Sequence, residues 1–409
     1  MTTPPPTVAG SRRPAVLIVH ERYRQSGGED VVVAAEAALL ASAGHRVETL
    51  IVDNRTIPER PSATSQLRLA LDTVWARAWP TRVADAVRRG DFDIVHAHNT
   101  LPLLSPTVHR AARRAGAATV QTLHNYRLVC PAATLFRDGR PCEDCVGAAV
   151  AWPAVRHACY RGSRSQSAVV ATMLATHRAA RTWQGVDAFV ALTDFARGRL
   201  LAGGLPPERT VVKPNFLPVD PGPGRGGGAF LVAGRLVEEK GVRTLLAALE
   251  RTPQVGVRIA GTGPLEAEVR AAGAGVVALG ETSRDAVLDE LGSATALIVP
   301  SRWYEGFPMA VVEAFARGVP VIASRLGSLG QIVEDGRTGL HVRPGDPDDL
   351  ARAVSWAADH PVAMREMGRR ARQVFEERYT AAANYPQLMA IYASALERRV
   401  AGRATAQRR

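Results

Sequence analysis

Aromatic residues make up only 5% of this 409-residue chain, and no apolar run reaches the ~18–20 uninterrupted residues that a spanning helix needs. The best stretch, Ser167 to Ala175, is cut off by His177 and Arg178. The N-terminus has no apolar core of ~7–15 residues behind its charges, so it lacks the form of a secretory signal. Its Pro-rich first 13 residues are expected to be a disordered tail, and the chain is expected to be cytoplasmic. No basic segment is interleaved with aromatics, which argues against nucleic acid as a partner. Gly261-Thr262-Gly263-Pro264-Leu265-Glu266 fails the G-x-G-x-x-G pattern at its third glycine, which argues against a dinucleotide oxidoreductase. Asp91-Phe92-Asp93 precedes a strand pattern and reads as a turn, so no acidic metal motif sits at a strand end.

What is present describes a globular protein. The hydrophobic share is 46% and the charged share 22%, and the length suits two domains of roughly 150–250 residues. The net charge of +12 (51 basic minus 39 acidic) points to a phosphorylated ligand or an anionic lipid surface. Arg398, Arg399, Arg403, Arg408 and Arg409 crowd the last twelve residues with no acid among them, the composition of a basic tail over 400–409.

Short apolar runs alternate with helical patterns throughout, so the expected class is α/β with two doubly wound parallel sheets. In the first half, strands are expected at 15–20, 45–52, 93–98, 118–124, 187–192 and 210–214, with helices between them and an irregular Cys-containing insert at 130–159. The Pro/Gly stretch 217–228 cannot lie inside an element and is read as the linker. The first domain is therefore expected over 14–216. The second, over 229–383, has strands at 229–233, 255–260, 276–279, 296–299 and 319–323. A helix over 384–399 follows the last sheet and is expected to cross back to the first domain. Two such domains in series imply a ligand cleft at the carboxyl ends of their strands.

Two segments of the second half carry the chemistry. Pro300 to Ala314 follows a buried strand and opens a helix. Pro308 suits the first turn, Gly306 permits close backbone approach, and the free N–H groups there suit phosphate or sugar oxygens. Glu313, one turn past Met309, can reach a vicinal diol; the plain alternatives are a capping acid at Glu305 and a surface Glu313. Gly234 to Gly241 ends the half's first strand, where Arg235 and Lys240 can together neutralise a pyrophosphate.

The combination GRLVEEKG, EGFPMAVVEAFARGVPVIAS and GQIVEDGRTGL resembles the group-one retaining glycosyltransferases of the GT-B fold, two Rossmann-like domains facing a cleft. The likeness runs from Val16 to about Leu396, and Glu305 and Glu313 match the family's E-x7-E signature. It implies transfer of a hexose-type sugar from a nucleoside-diphosphate sugar to a glycan or lipid-linked acceptor, with no cofactor needed for catalysis. By the same likeness Arg235 and Lys240 hold the donor diphosphate and Glu313 the ribose. Glu305 and the backbone of Gly306, Phe307, Pro308 and Met309 face the sugar, and Gly280, Glu281 and Thr282 border the base. In the first half, Gly27 and Gly28 match the family's glycine-rich loop and His124 its active-site histidine. Asn215 is expected to line the cleft, and His96, His98 and Asn99 form a second strand end of similar character. Many enzymes of that family build surface polysaccharides or glycolipids, so a peripheral position on the inner membrane face is expected. A nucleotide-sugar epimerase of the same architecture and a non-catalytic binding factor are the alternatives.

The four cysteines fall as Cys130-x11-Cys142-x2-Cys145-x13-Cys159. Disulfides do not suit a cytosolic chain, while this spacing suits a structural zinc with four thiolates. Reduced, metal-free thiols are the alternative.

Overall fold

A computed structural model describes residues 12–24, 27–60 and 62–407, the last five by backbone alone. The chain forms two compact units. The first holds the described residues up to Ala133, then Glu143–Pro214, then those from Asn384 onward; the second holds Thr134–Cys142 and Asn215–Ala383.

The first unit is built on β1 (Val16–Arg22), β2 (Val47–Asp53), β3 (Ile94–Ala97) and β4 (Ala118–Leu123). A two-stranded antiparallel hairpin, β5 (Phe136–Arg137) and β6 (Arg140–Pro141), interrupts the chain and belongs to the second unit. β7 (Ala188–Ala191) and β8 (Thr210–Val212) complete the first sheet, which is parallel throughout in the order β2-β1-β3-β4-β7-β8. β1, β3, β4 and β7 are almost wholly buried, as strands covered on both faces must be. The region up to Arg89, expected as one helical stretch, is two helices, Ala63–Trp75 and Ala78–Gly90.

The second unit's sheet comprises β9 (Phe230–Ala233), β10 (Val257–Ala260), β11 (Val276–Gly280), β12 (Leu297–Val299), β13 (Val321–Ser324) and β14 (Gly339–Val342). Its order is β11-β10-β9-β12-β13-β14, again parallel. Five strands were expected and six are present. β14 escaped notice because it is a four-residue edge strand, with only Gly339 and Val342 buried.

Both strand orders reverse direction once. The first sheet reverses between β1 and β3, the second between β9 and β12. At such a point the connecting loops diverge and leave a crevice at the carboxyl ends of the strands, the usual ligand position in open α/β sheets. Gly27, His98 and Asn99 lie beyond β1 and β3; Arg235, Lys240 and Glu305 lie beyond β9 and β12.

The Pro/Gly stretch after Leu217 is pinned to the second unit by backbone bonds. Gly224 N–H bonds Arg317 O at 2.7 Å and Gly228 N–H bonds Ser293 O at 2.7 Å. The last helix runs Ala381–Gln407, so residues 400–407, expected as a tail, continue an Ala-rich helix with no breaker beyond Gly402. From Asn384 onward it belongs to the first unit, where Leu388, Ile391, Tyr392 and Ala395 join the core with Val16, Ile18, Leu40 and Val120. Arg398 donates to Asp187 O at 2.9 Å and Glu208 O at 2.7 Å, and Arg399 donates to Arg113 O. Two of the five terminal arginines are thus fastened to the fold; Arg408 and Arg409 lie outside the described residues.

Candidate functional site

In the second unit the loop after β9 is locked to the loop after β12. Gly241 has φ +75°, and a Cβ there would meet Pro300 O at 1.9 Å, so only glycine admits the approach. Arg302 N–H bonds Glu239 O at 2.8 Å, the Arg302 guanidinium pairs with Glu238, and its Nη2 donates to Gly139 O of the hairpin at 2.9 Å.

This contact delivers Lys240 to Glu305. Lys240 Nζ donates to Glu305 Oε1 at 2.8 Å, and Ser301 Oγ donates to the same oxygen at 2.6 Å. Glu305 is buried. Burial alone would raise its pKa, but the Lys240 charge and the bonds from Lys240 and Ser301 outweigh it and hold the carboxyl below its ordinary value. The Lys240 ammonium also stands 5.6 Å from the centre of the Trp303 ring.

Glu313 lies in the helix Met309–Ala316, which begins one residue later than expected, with Pro308 at its N-cap. Glu313 is buried, and Arg284 Nε donates to its Oε1 at 2.8 Å. Sequence reading missed Arg284; the signal available was its place directly after the capping Ser283, as the first residue of the helix Arg284–Ser293 that follows β11. In the loop before that helix Thr282 Oγ1 donates to Gly280 O at 3.0 Å, and Glu281 is exposed. Arg235 is 60% exposed, and its nearest acid is Glu239 at 3.8 Å. Of the two cations expected to face a diphosphate, Arg235 is open and Lys240 is already engaged. Gly306 O accepts from Ser328 Oγ at 3.2 Å, and the Phe307 ring meets Tyr379 edge-on at 6.0 Å. Asn215 is buried, and no described group bonds its Oδ1.

In the first unit, Gly27 is the N-cap of the helix Gly28–Ser42, and its N–H bonds Asp30 Oδ2 at 3.0 Å. Asp30 Oδ1 lies 2.8 Å from His20 Nε2, which ties the glycine turn to β1. His124, just past β4, is half-buried, with its Nε2 2.9 Å from His98 Nδ1. His98 stacks between His124 (5.2 Å) and His96 (4.5 Å). A cavity of about 20 Å³, room for about one water, is walled in part by Tyr23, His98, Asn99, His124 and Arg127.

Beneath the histidines lies a fully buried charge. Glu36 Oε1 accepts from Lys213 Nζ at 2.7 Å, and Lys213 also donates to Asn384 Oδ1 at 3.1 Å. Burial would raise the Glu36 pKa; the Lys213 charge chiefly offsets this and leaves it lowered. Glu36 Oε2 stands 3.3 Å from His98 Nε2 and 3.8 Å from His96 Nδ1. His96 is bonded on both sides, by Tyr392 OH and Thr122 Oγ1, each at 2.8 Å. Burial pushes the histidines down, to about 4 for His96 and about 3 for His124, with Glu36 only partly compensating. Glu36, His96 and His98 bring ligand-type atoms within 4.8 Å of one another. The Lys213 ammonium on the same carboxylate supplies the cation, so this group reads as an ion pair with neutral imidazoles. Sequence reading missed Glu36 and Lys213, although a lone acid within the apolar face of the first helix was visible.

The cysteines lie in turns. Cys142 N–H bonds Leu135 O at 2.8 Å, Cys145 O accepts from Ala148 N–H at 3.3 Å, and Cys159 N–H bonds Ala154 O at 3.0 Å; Cys130 is buried.

Comparison with known proteins places this geometry in a family. Residues 222–374 match the model for glycosyl transferases group 1, and residues 27–215 match the glycosyl transferase 4-like domain. The MMP alpha-(1->4)-mannosyltransferase of Mycolicibacterium hassiacum is 30% identical over 390 residues, covering 86% of each chain. The glycogen synthase of Mycobacterium tuberculosis is 35% identical over 161 residues, 37% of this chain and 39% of that one. The match therefore spans well under half the length of the glycogen synthase. Among solved structures, Anabaena HepE in complex with UDP superposes with a TM-score of 0.64 at 16% identity, over 93% of this chain and 100% of that one. The sucrose-phosphate synthase of Thermosynechococcus elongatus gives 0.65 at 19% identity, over 93% and 98%. These two share the GT-B fold with this protein, and the mannosyltransferase shares enough sequence along nearly its whole length that the chain belongs to the group 1 glycosyl transferases.

Proposed function

We propose that the protein transfers a hexose from a nucleoside-diphosphate sugar to a glycan or lipid-linked acceptor, with retention at the anomeric carbon and without metal in the chemical step. The observation that carries this reading is the pair of buried carboxylates, Glu305 and Glu313, each held by its own cation beside the second sheet's switch point. Glu313 offers its remaining oxygen to the donor ribose. Arg235, Lys240 and the backbone of Gly306–Met309 take the diphosphate, and Gly280, Glu281 and Thr282 border the base. In the second unit Glu305 serves the sugar and Asn215 donor binding; in the first, His124 serves the sugar and the turn at Gly27 and Gly28 donor binding. As the bond to the diphosphate breaks, charge grows on the leaving oxygen, and fixed donors stabilise it there. The acceptor attacks from the same face and passes its proton to that oxygen. The HepE structures hold UDP and UDP-glucose, which supports a nucleotide-sugar donor here.

A thermal-shift screen against UDP-, GDP-, ADP- and TDP-sugars, followed by turnover with lipid-linked and soluble acceptors, tests the reading. Release of nucleoside diphosphate with a glycosylated acceptor is expected; interconversion of the donor without any acceptor would make the protein an epimerase. In the same screen Glu313→Gln weakens nucleotide binding by on the order of tenfold or more, since a charge-assisted bond is worth roughly 1.5–3 kcal/mol. Unchanged affinity would remove Glu313 from the ribose.

Lys240 has a second consequence through Glu305. In the wild type the lowered carboxyl stabilises the fold above the unfolded carboxyl value, and that contribution is lost as pH falls through the folded value. Lys240→Met leaves the burial and removes the main offset, so the carboxyl rises above its ordinary value. Stability then declines as pH increases past the unfolded value, until the folded value is passed. Denaturation at pH 5 and pH 8 should show the variant losing on the order of 1–3 kcal/mol more than wild type across that interval. An identical slope would mean that Lys240 does not keep Glu305 ionised.

The four cysteines are proposed to hold a structural zinc. The donor set has the chemistry zinc prefers, four thiols with two of them in a Cys-x2-Cys step, and Cys145 lies in a turn where Val146 N–H bonds Glu143 O at 2.9 Å. Four thiolates would leave no open position for chemistry. Elemental analysis should find about one zinc per chain, and Cys142→Ser should destabilise the protein. A metal-free preparation indifferent to chelators would leave the cysteines as plain thiols.

A cytoplasmic protein resting on the inner membrane face completes the proposal. No helix among the described residues is long and apolar enough to cross a membrane. The helix Ala63–Trp75 exposes Leu67 (62%), Leu71 (62%) and Trp75 (37%) at successive helical turns beside Arg68, a surface suited to anionic lipid. With Arg398 and Arg399 bonded into the fold, this stripe is a cleaner probe than the chain end. Co-sedimentation with anionic vesicles at low salt should fall about tenfold in Leu67→Ser/Leu71→Ser. Equal partitioning of both proteins into anionic and neutral vesicles would dismiss the surface.

A further inference from the structure

We infer that Glu36 and His98 are positioning residues that fix the tautomer of His124, so that its Nδ1 is a bare acceptor for a substrate hydroxyl. The inference rests on the proposed place of His124 at the transferred sugar, and it follows from proton accounting along one chain of atoms.

Lys213 can only donate, and it donates to Glu36 Oε1. Glu36 is thereby ionised, and its second oxygen is a buried acceptor with no hydrogen-bond partner elsewhere among the described residues. His98 Nε2, 3.3 Å away, is buried and equally without another partner. The contact falls short of hydrogen-bond geometry and is electrostatic: the ionised carboxylate draws the single ring proton to the nitrogen that faces it. His98 is neutral, since burial above all, with the Lys213 charge nearby, pushes it well below its ordinary value. It has one ring proton, on Nε2, so its Nδ1 carries a lone pair. That lone pair lies 2.9 Å from His124 Nε2, which must donate to it. His124 is neutral as well, which leaves its Nδ1 unprotonated. No described group bonds that atom, and His124 is half-buried beside the small cavity past β4.

The neighbours do not compete for these protons. His96 is occupied on both nitrogens by Tyr392 and Thr122, and His20 is held through Nε2 by Asp30. Burial keeps Tyr392 protonated, so it offers no rival charge. A transferred or accepting sugar hydroxyl would thus donate to His124 Nδ1. An anionic oxygen, which cannot donate, would find no hydrogen there.

Nitrogen-15 NMR of the imidazoles in the full-length protein reads the tautomer without any substrate. His124 should be protonated at Nε2 and bare at Nδ1 from pH 6 to 8; a proton on Nδ1, an imidazolium or an even mixture overturns the inference. Glu36→Gln gives a sharper test. Lys213 will hold the amide oxygen, so the amide NH₂ faces His98 Nε2 and forces the His98 proton to Nδ1. His124 must then flip to the Nδ1–H form. With the donor sugar identified in the screen, kcat should fall about 10²-fold or more with little change in donor KM, the kind of loss that a wrong tautomer brings. A flipped tautomer with unchanged kcat would overturn the positioning role. His124→Ala with wild-type turnover would instead strike the functional reading, leaving the proton order intact. If Glu36→Gln does not fold, the wild-type spectrum still decides.

Discussion

A carboxylate with no access to water has to be neutralised where it lies, and the first unit is arranged around one such group, Glu36. Its partner Lys213 extends from the end of β8, and Asn384 at the start of the C-terminal helix accepts from the same ammonium. Asn384 also donates to Pro214 O at 2.8 Å. One ion pair therefore joins the first helix, the last strand and the returning helix. Removing either charge would leave the other buried and alone, a loss of about 3–5 kcal/mol. The apolar contacts of Leu388, Ile391 and Tyr392 hold the helix against the sheet, while the ion pair dictates its register, because Asn384 has to meet Lys213.

The second unit solves the same problem twice in miniature. Glu305 and Glu313 are buried near the carboxyl ends of its strands, each with a cation on one oxygen. Lys240 comes from the helical turn Glu238–Lys240 after β9, and Arg284 from the first residue of the helix after β11. The burial that makes these acids useful to a ligand also makes them expensive without partners. Lys240 thereby keeps Glu305 ionised. The Arg235 charge stays open to solvent.

Much of this was legible in the chain. Apolar runs at regular spacing predicted parallel strands, and the segments around Gly234–Gly241 and Pro300–Glu313 predicted the site's anions and cations, because glycine, proline and acid at a strand end serve few other purposes together. What escaped was set by packing. Arg284 is an ordinary surface residue by local pattern, and only the fold brings it to Glu313, 29 positions away. β14 lies at a sheet edge, where burial is too partial to leave a run of apolar residues. The Arg-rich end looked like solvent-exposed tail, since side chains bonding backbone carbonyls, as Arg398 does, leave no complementary acid in the sequence.

His98 shows the same limit at the level of chemistry. Sequence placed it and His124 at two strand ends and put His124 first by family likeness, with no physical relation between them. The sheet order supplies that relation: β3 lies next to the switch point, so His98 stands closer to the buried charge, and β4 carries His124 one strand further out. The carboxylate's influence passes outward through His98, because only that ring has one nitrogen toward Glu36 and the other toward His124. A buried charge required by the fold can in this way reach the proton arrangement of a half-buried imidazole two rings away, so that stability and the protonation of His124 depend on the same acid.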